Sequence, residues 1–353
     1  MMSAALVSGR LVSTVLRGAW RDSSTSELTL SAKELDEVTP LLYRSGAAGL
    51  GWWRIRNTKW RGSSSGELMH QALRLQTLFA RIHETKVQRV FRLMRAAGVE
   101  PILIKGWAIG RFYSQPGLRP SGDIDLFVRR GDYTTAQQVL SSDEARDCWV
   151  DLHERIFELA DRDPEDLYSR SELVRCGDED VRVLRLEDHF ALLAIHFLKH
   201  GAWRPLWLCD LGLLLESLPE HFDWRLCLGK NKRHANWVLS SIALANKLIG
   251  AEIRFEEIAA RSKQTPDWLV PAVLRQWQAP FPEVHESPPM MARYLRHPAS
   301  FIREIPNRWP NAIVATVNMG GKFNDRSRLP YQLCEMAART VKFVWRLPER
   351  SPF

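Results

Sequence analysis

Long apolar runs and paired cysteines are both missing from this 353-residue sequence. No stretch of about 18 consecutive apolar residues occurs, so the sequence predicts no transmembrane helix. The cysteines lie far apart without a C-x-x-C pair, which argues against a disulfide framework and against a zinc knuckle. They are Cys148, Cys176, Cys209, Cys227 and Cys334. Isolated cysteines suit a reducing compartment, and we therefore expect a cytoplasmic protein.

Several catalytic motifs are missing as well. The sequence contains no G-x-x-x-x-G-K-[ST] phosphate loop, no G-x-S-x-G turn and no kinase H-R-D set. P-loop hydrolysis, serine hydrolysis and ordinary kinase chemistry therefore have no motif support. His196 and His200 stand four residues apart, a spacing that can hold zinc on one helix face. Residue 197 is phenylalanine where a zinc protease requires glutamate, so we do not expect a protease.

What the sequence does contain is ordinary for a globular protein, with 45% apolar and 25% charged residues. Lys and Arg number 49 against 41 Asp and Glu, which gives a formal net charge of +8. This charge suits a polyanionic partner such as a nucleotide, or it forms a solvated basic surface, since the basic residues make no dense block. We predict a helical N-terminal region (1–98), a sheet core (99–186) and a helical C-terminal region (187–353).

One stretch, from Leu118 to Val128, combines a Pro-Ser-Gly turn with a short apolar strand. The strand is predicted to start with two carboxylates, Asp123 and Asp125, separated by Ile124. Because side chains alternate along a strand, both carboxylates should share one face while Ile124 faces the core. Two carboxylates about 6–7 Å apart on one face repel each other unless a cation lies between them. The pattern therefore predicts a site for a hard divalent ion such as Mg²⁺ that also contacts substrate phosphates.

Two further strands are predicted beside this one. Residues 101–106 form an apolar strand that breaks at a Lys-Gly turn, where phosphate can approach backbone N–H groups at the start of a helix. Residues 147–153 alternate so that Asp151 and His153 share one face. A third carboxylate suits a two-metal site, where it completes the coordination of the ion that activates an attacking hydroxyl.

The order of these motifs resembles that of a known family. Lys-Gly, then Arg-Pro-x-Gly-Asp-x-Asp, then a strand with Asp-x-His is similar to the uncharacterised bacterial nucleotidyltransferases of the DNA polymerase beta superfamily. The resemblance is strong over residues 100–155 and extends more weakly to residue 215. It implies an α+β fold, with a small mixed polymerase-beta-like sheet flanked by helical N- and C-terminal regions. The chain departs from the superfamily at Trp107, which follows Gly106 where Ser or Gly is usual.

The motifs and the resemblance together give candidate roles. The predicted catalytic and metal-binding residues are Asp123, Asp125 and Asp151. The predicted nucleotide- and phosphate-binding residues are Lys105, Gly106, Arg119, Ser121, Gly122, His153 and His200. Alternatives stay open for most of them. Asp123 and Asp125 could cap a helix or be solvated at a strand end, Asp151 could be a strand-edge residue, and His200 could simply pack. Lys105 could be a solvated surface charge, Arg119 the partner of a structural carboxylate, and His153 a base, a substrate contact or a packed histidine.

The resulting hypothesis is an enzyme that depends on Mg²⁺ or Mn²⁺ and moves a nucleoside monophosphate from a nucleoside triphosphate to an acceptor hydroxyl or phosphate. Two alternatives stay open. One is a kinase-like phosphotransferase that modifies a peptide or small molecule in a natural-product pathway. The other is a non-catalytic nucleotide-binding protein or toxin–antitoxin component. The acceptor stays open among a peptide, a small molecule, RNA and a protein.

Periodicity and turn residues predict the remaining elements. A capping box begins a helix at residues 31–43, and apolar spacing predicts one long helix, or two abutting ones, over 67–97. Alternation predicts a strand at 181–186, and helical periodicity recurs over 187–200, 205–217, 223–229 and 235–249. The segments predicted to lack regular structure are a frayed terminus (1–22), a glycine-rich turn (46–51), an acidic excursion (161–180), a loop (280–289) and a loosely held C-terminus.

Overall fold

The computed structural model describes residues 6–23, 28–278 and 309–345. Within these residues the chain combines fifteen α-helices with one five-stranded mixed sheet, which confirms the predicted α+β class. The strands are β1 (Ile102–Leu103), β2 (Ile124–Phe127), β3 (Val150–His153), β4 (Glu172–Cys176) and β5 (Glu179–Val183). The predicted loop at 280–289 and the last eight residues lie outside the described residues.

The helices that precede or interrupt the sheet are α1 (Val7–Leu16), α2 (Ala32–Arg44), α3 (Ala48–Ile55), α4 (Ser64–Ala96), α5 (Trp107–Gly110), α6 (Tyr133–Leu140) and α7 (Pro164–Arg170). Those that follow it are α8 (Leu186–Lys199), α9 (Pro205–Ser217), α10 (Trp224–Leu228), α11 (Lys232–Ile249), α12 (Glu256–Ser262), α13 (Leu269–Gln278), α14 (Ala312–Asn318) and α15 (Leu329–Trp345). The capping box of α2, the single long helix α4 and the helices α8 to α11 agree with the sequence predictions.

The strands lie in the order β3-β2-β1-β5-β4. β1 pairs antiparallel with β2 and parallel with β5, while β4 and β5 form an antiparallel hairpin. β2 and β3 run parallel over four residue pairs, and one of these pairs joins Asp125 to Asp151. This register puts the second predicted carboxylate directly beside the third.

The two faces of the sheet are buried in two different hydrophobic clusters. Leu103, Ile124 and Leu126 belong to a cluster with the apolar side chains of α4, among them Phe91. Phe127 points the other way, into the larger cluster that contains α8, α9 and α11. Ile124 therefore faces the core, as predicted, and Asp125 lies on the opposite face, towards α8.

Helix α1 is well packed, so the prediction of a frayed terminus over residues 1–22 is wrong for the residues described there. Val15 and Leu16 are fully buried in the larger cluster. Gly9 allows α1 to lie against α13, because a β-carbon at that position would come within 2.1 Å of the carbonyl oxygen of Leu274. The apolar spacing of this segment is typical of a helix, but its arginines and serines favoured the interpretation as a frayed terminus.

Two other segments predicted to be irregular are regular. Helix α3 (Ala48–Ile55) begins inside the predicted glycine turn at 46–51, and only Gly46 of that turn, at φ +76°, takes a glycine-type conformation. The predicted excursion at 161–180 contains α7 and β4. Asp163 caps α7 by accepting a hydrogen bond from the Glu165 N–H group, and proline begins the helix. In these two segments, glycine and proline lie at the start of a helix, so their presence does not indicate that regular structure is missing.

No helix among the described residues is both long enough and apolar enough to cross a membrane.

Candidate active site

A cavity of about 400 Å³ lies between the sheet and the helices α8 and α9. Every residue given a candidate role from the sequence lines it. They are Lys105, Gly106, Arg119, Ser121, Gly122, Asp123, Asp125, Asp151, His153 and His200. The fold thus brings together side chains that lie up to 95 positions apart in the sequence.

Three of these side chains form a compact group. The pairing of β2 with β3 sets Asp125 beside Asp151, and His153 follows two residues later on the same strand face. One ligand atom from each of Asp125, Asp151 and His153 lies within 4.8 Å of the others. Asp123 is not part of this group. It is exposed and precedes β2, which begins one residue later than predicted, at Ile124, although Asp123 still lines the cavity.

Asp125 is the buried member of the group, with 4% of its surface exposed. Lys105 Nζ lies 2.5 Å from its Oδ1, and His153 Nε2 lies 3.5 Å from the same oxygen. Burial alone would raise the pKa of Asp125, but the hydrogen bond with His153 and the charge of Lys105 outweigh it and lower that pKa. The carboxylate is therefore ionised inside the cavity wall.

The donor set fits a divalent cation. Oδ1 of Asp125 and Nε2 of His153 are both inaccessible, and Oδ1 of Asp125 contacts Lys105 and His153. Nε2 of His153 also lies 3.2 Å from Oδ2 of Asp151. Two carboxylates this close repel each other, and a cation bound between them would stabilise both charges. Carboxylate oxygens are the ligands that Mg²⁺ and Mn²⁺ prefer, and imidazole is accepted by several divalent metals.

The turn after β1 has the backbone geometry that only glycine adopts readily. Gly106 has φ 63° and ψ −119° and immediately precedes α5. A β-carbon there would lie 3.5 Å from the carbonyl oxygen of Asp123 and 3.8 Å from Ser121 Oγ. The Ser121 hydroxyl therefore lies beside this turn.

His83 is a neighbour of this turn that sequence reasoning missed. It lies on α4, only 6% exposed, and its Nε2 would be 3.7 Å from a β-carbon on Gly106. That nitrogen has no hydrogen-bond partner among the described residues. Burial and the positive charge of Arg119 lower the pKa of His83 to about 4, so the ring is neutral at physiological pH. Nothing in the local sequence distinguishes His83 from the other polar residues of its long helix.

Arg119 adopts the second of its two predicted arrangements. Its Nε and Nη2 atoms lie 3.3 and 3.2 Å from Oδ2 of Asp210, while the Tyr113 hydroxyl donates to Oδ1 at 2.9 Å. The remaining guanidinium nitrogen, Nη1, donates to Ser121 Oγ at 2.8 Å. Arg119 is thus the partner of a fully buried carboxylate on α9 and at the same time part of the cavity wall.

A second charged group lies where α8 meets the segment after β3. Of the residues around it, the sequence predicted a binding role only for His200. Glu158 follows β3, and its Oε1 lies 3.2 Å from His196 Nδ1 and 3.3 Å from Lys199 Nζ. Burial would raise the pKa of Glu158, but the hydrogen bond from His196 and the charge of Lys199 outweigh it and lower that pKa to about 2. Burial is the main cause that lowers the pKa of His200 to about 4, and the neighbouring Lys199 ammonium group also lowers it. Nothing in the local sequence indicates a functional role for position 158.

A known protein family matches the part of the chain that contains this site. No curated protein and no solved structure matches the chain. A family described as uncharacterised nucleotidyltransferase matches residues 31–250, which is more than half of the chain. The match extends from just before α2 to the end of α11 and includes all the cavity residues named above. The chain therefore belongs to this family of uncharacterised nucleotidyltransferases, as its Lys-Gly and Gly-Asp-x-Asp motifs predicted.

Proposed function

We propose that this protein is a metal-dependent nucleotidyltransferase that moves a nucleoside monophosphate from a nucleoside triphosphate to an acceptor hydroxyl or phosphate. The observation that carries the proposal is the meeting of Asp125, Asp151 and His153 on one wall of a cavity. The mixed sheet, with its carboxylates on neighbouring strands, supports a polymerase-beta-like arrangement. Family membership supports the general reaction class.

Asp125 and Asp151 would hold Mg²⁺ or Mn²⁺, with Asp123 at the rim of the same cavity as the third carboxylate. His153 lies between Asp125 and Asp151 and fixes their orientation. When bound, the metal ion supplies positive charge to the polyphosphate and lowers the pKa of the attacking hydroxyl. Because Asp125 is buried and ionised, it is ready to bind a cation without first losing a proton.

Positively charged side chains would neutralise the triphosphate. The cations of the cavity wall are Lys105, Arg119, Arg155, Lys199 and Arg204. Burial is the main cause that lowers the pKa of Arg204, to about 10, which still leaves it charged at neutral pH. Preorganised cations and N–H donors stabilise the charge that develops as the bond to the α-phosphorus changes.

The Gly106 turn would bind phosphate through its backbone. Glycine has no β-carbon to stand between the turn and the cavity, and Ser121 Oγ lies close to the position that a β-carbon would take. Arg119 donates to Ser121 and so fixes the position of that hydroxyl. These contacts replace the hydroxyl that Trp107 does not provide.

The proposed enzyme would work in a reducing compartment such as the cytoplasm. All five cysteines are free thiols, and four of them are buried. Free thiols in such number are typical of proteins that are kept reduced.

The test is incubation of the purified protein with Mg²⁺ or Mn²⁺ and each α-³²P nucleoside triphosphate, with and without cell extract. We expect α-label to move to an acceptor and pyrophosphate to be released. Transfer from γ-labelled nucleotide alone would overturn the proposal in favour of the kinase-like alternative. Nucleotide binding without transfer of either label would favour the non-catalytic alternative.

A further inference from the structure

The pair formed by Glu158 and His196 is not used by the function proposed above. Both side chains are buried, at 7% and 9% exposure, and both line the cavity. Burying an ionised carboxylate is costly unless its partners compensate for the lost hydration. Here the compensation comes from His196 and Lys199, two residues of α8 that reach the same oxygen of Glu158.

The hydrogen bond fixes which ring nitrogen of His196 carries a proton. An ionised carboxylate accepts hydrogen bonds and donates none, so Nδ1 of His196 must donate to Glu158. In the neutral ring, Nε2 then has a free lone pair. The described residues provide no hydrogen bond to this nitrogen, although the residue lines the cavity.

Aromatic neighbours hold the ring in place. The Trp207 ring centroid lies 4.8 Å from that of His196, and the His200 centroid lies 4.3 Å from it. A carboxylate that orients an imidazole in the wall of a reaction site is an arrangement found in general-base catalysis.

The charged and titratable groups around His196 come from several elements. Glu158 and Asp125 raise its pKa, whereas burial and Lys105 lower it. Lys199 and His200 are the other titratable groups that lie near it, at Glu158 and beside the ring. Burial is the largest of these effects, and the pKa of His196 is lowered overall. The imidazole is therefore neutral, and able to accept a proton, at physiological pH.

We propose that His196 is the general base for the acceptor, that Glu158 positions it, and that the acceptor is therefore a hydroxyl. The inference rests on the proposed nucleotidyl transfer. In the step, the acceptor O–H bond breaks and its proton moves to Nε2 of His196. The acceptor oxygen forms a bond to the α-phosphorus, and the bond from that phosphorus to the bridging oxygen breaks, which releases pyrophosphate.

The choice of a hydroxyl follows from proton chemistry. A phosphate acceptor is already ionised near neutral pH, with a second pKa of about 6, and needs no base. An alcohol holds its proton far above neutral pH and reacts faster when a base removes it in the transition state. General-base catalysis typically contributes about 10²–10⁴-fold.

The experiment compares the wild-type protein with His196→Asn, His196→Ala and Glu158→Gln in α-label transfer to the acceptor fraction of a cell extract. Asparagine can still donate to Glu158 but provides no basic nitrogen. We expect His196→Asn to lose about 10²–10⁴-fold in rate while its affinity for the metal–nucleotide complex stays unchanged. Added imidazole should restore part of the activity of His196→Ala. A substitution of the exposed His221 by alanine is the matched control and should have no effect.

Two readouts distinguish a base from a structural histidine. Glu158→Gln removes a charge that raises the pKa of His196, so the acidic limb of its pH–rate profile should move to lower pH. The bond to the acceptor should be a phosphodiester and not a phosphoanhydride. A phosphoanhydride product, or full activity of a folded His196→Asn protein with an unchanged pH profile, overturns the inference and leaves nucleotidyl transfer standing. Absence of α-label transfer by the wild-type protein overturns both.

Discussion

The ammonium group of Lys105, two residues after β1, lies 2.5 Å from Oδ1 of Asp125 on the neighbouring strand β2. Lys105 is thus the protein's own cation at the site where a metal ion is proposed. When no metal ion is bound, the ion pair with Lys105 helps to keep the buried carboxylate of Asp125 charged. The solvated surface charge that was one alternative for Lys105 does not describe this arrangement.

Replacement of Lys105 by methionine should destabilise the protein. Loss of one partner of a buried ion pair costs about 3–5 kcal/mol of unfolding free energy. The pKa of Asp125 is lowered in the folded protein, so its stabilising contribution is present above its unfolded pKa and disappears as pH falls through the folded pKa. The deficit should therefore be largest at neutral pH and shrink in acid, as measured by urea unfolding. Lys105→Arg, which keeps the charge, is the control, and a pH-independent deficit would contradict the interpretation.

Removal of either central carboxylate should abolish transfer. Asp125→Asn and Asp151→Asn each remove a charged ligand from the group, and we expect a loss of about a thousandfold or more, because metal ions contribute several kcal/mol to such reactions. The measurement is α-label transfer together with Mn²⁺ binding by calorimetry. Asp143→Asn is the control, since its side chain is 96% exposed and lies outside the cavity. Wild-type activity in both site variants would refute the assignment.

A methyl group on Gly106 should weaken nucleotide binding. Alanine at this φ and ψ costs about 1–3 kcal/mol of backbone strain and puts a carbon beside Ser121 and His83. Gly110→Ala offers a matched control four residues later, where a β-carbon meets nothing within 4 Å. The affinity for a nucleoside triphosphate, measured by calorimetry, should fall in the first variant only. Equal affinities would show that phosphate does not approach this turn.

The buried cluster of Arg119, Asp210 and Tyr113 should be a major source of stability. Asp210→Ala leaves the buried guanidinium of Arg119 without its carboxylate and should cost about 3–5 kcal/mol. Tyr113→Phe removes a single hydrogen bond and should cost about 1 kcal/mol. Thermal unfolding measures both, with the exposed Asp267→Ala as control. A small effect of Asp210→Ala would mean that Arg119 finds another partner.

Glu158 should make stability depend on pH in the acidic range. Its folded pKa of about 2 is below the ordinary 4.5, so its contribution is complete above pH 4.5 and is lost as pH falls towards 2. The shift corresponds to about 3 kcal/mol. The difference in unfolding free energy between wild type and Glu158→Gln should therefore be large at neutral pH and vanish near pH 2. Urea titrations over this range provide the measurement, and a constant difference would contradict the ionised state.

Much of the acidic group could be predicted from the sequence because it depends on local periodicity. Alternation along 123–128 and 147–153 was enough to orient Asp125, Asp151 and His153, and the structure adds the register that joins them. Asp123 shows the limit of that reasoning. Alternation gives a face but not the residue at which a strand begins, and β2 begins one residue later.

The residues that could not be predicted reach the cavity through tertiary packing. His83 comes from the middle of α4, and Glu158 meets α8 across 38 positions of sequence. The pairing of Arg119 with Asp210 spans 91 positions. No local pattern encodes such contacts, since they depend on how helices pack against the sheet. The apolar spacing of α1 is local, but its close contact with α13 is not.

Among the described strands β3 has a neighbour on one side only, and it carries Asp151 and His153, two of the three residues of the compact group. A shift of this strand by one residue would turn Asp151 and His153 to the opposite face and present Val150 and Leu152 to the cavity. Such a slipped form would keep the sheet and most of the core, but it would lose the group formed by Asp125, Asp151 and His153. The catalytic competence of this protein would then be a property of how one edge strand is aligned, and a ligand that binds across β2 and β3 would select the aligned form.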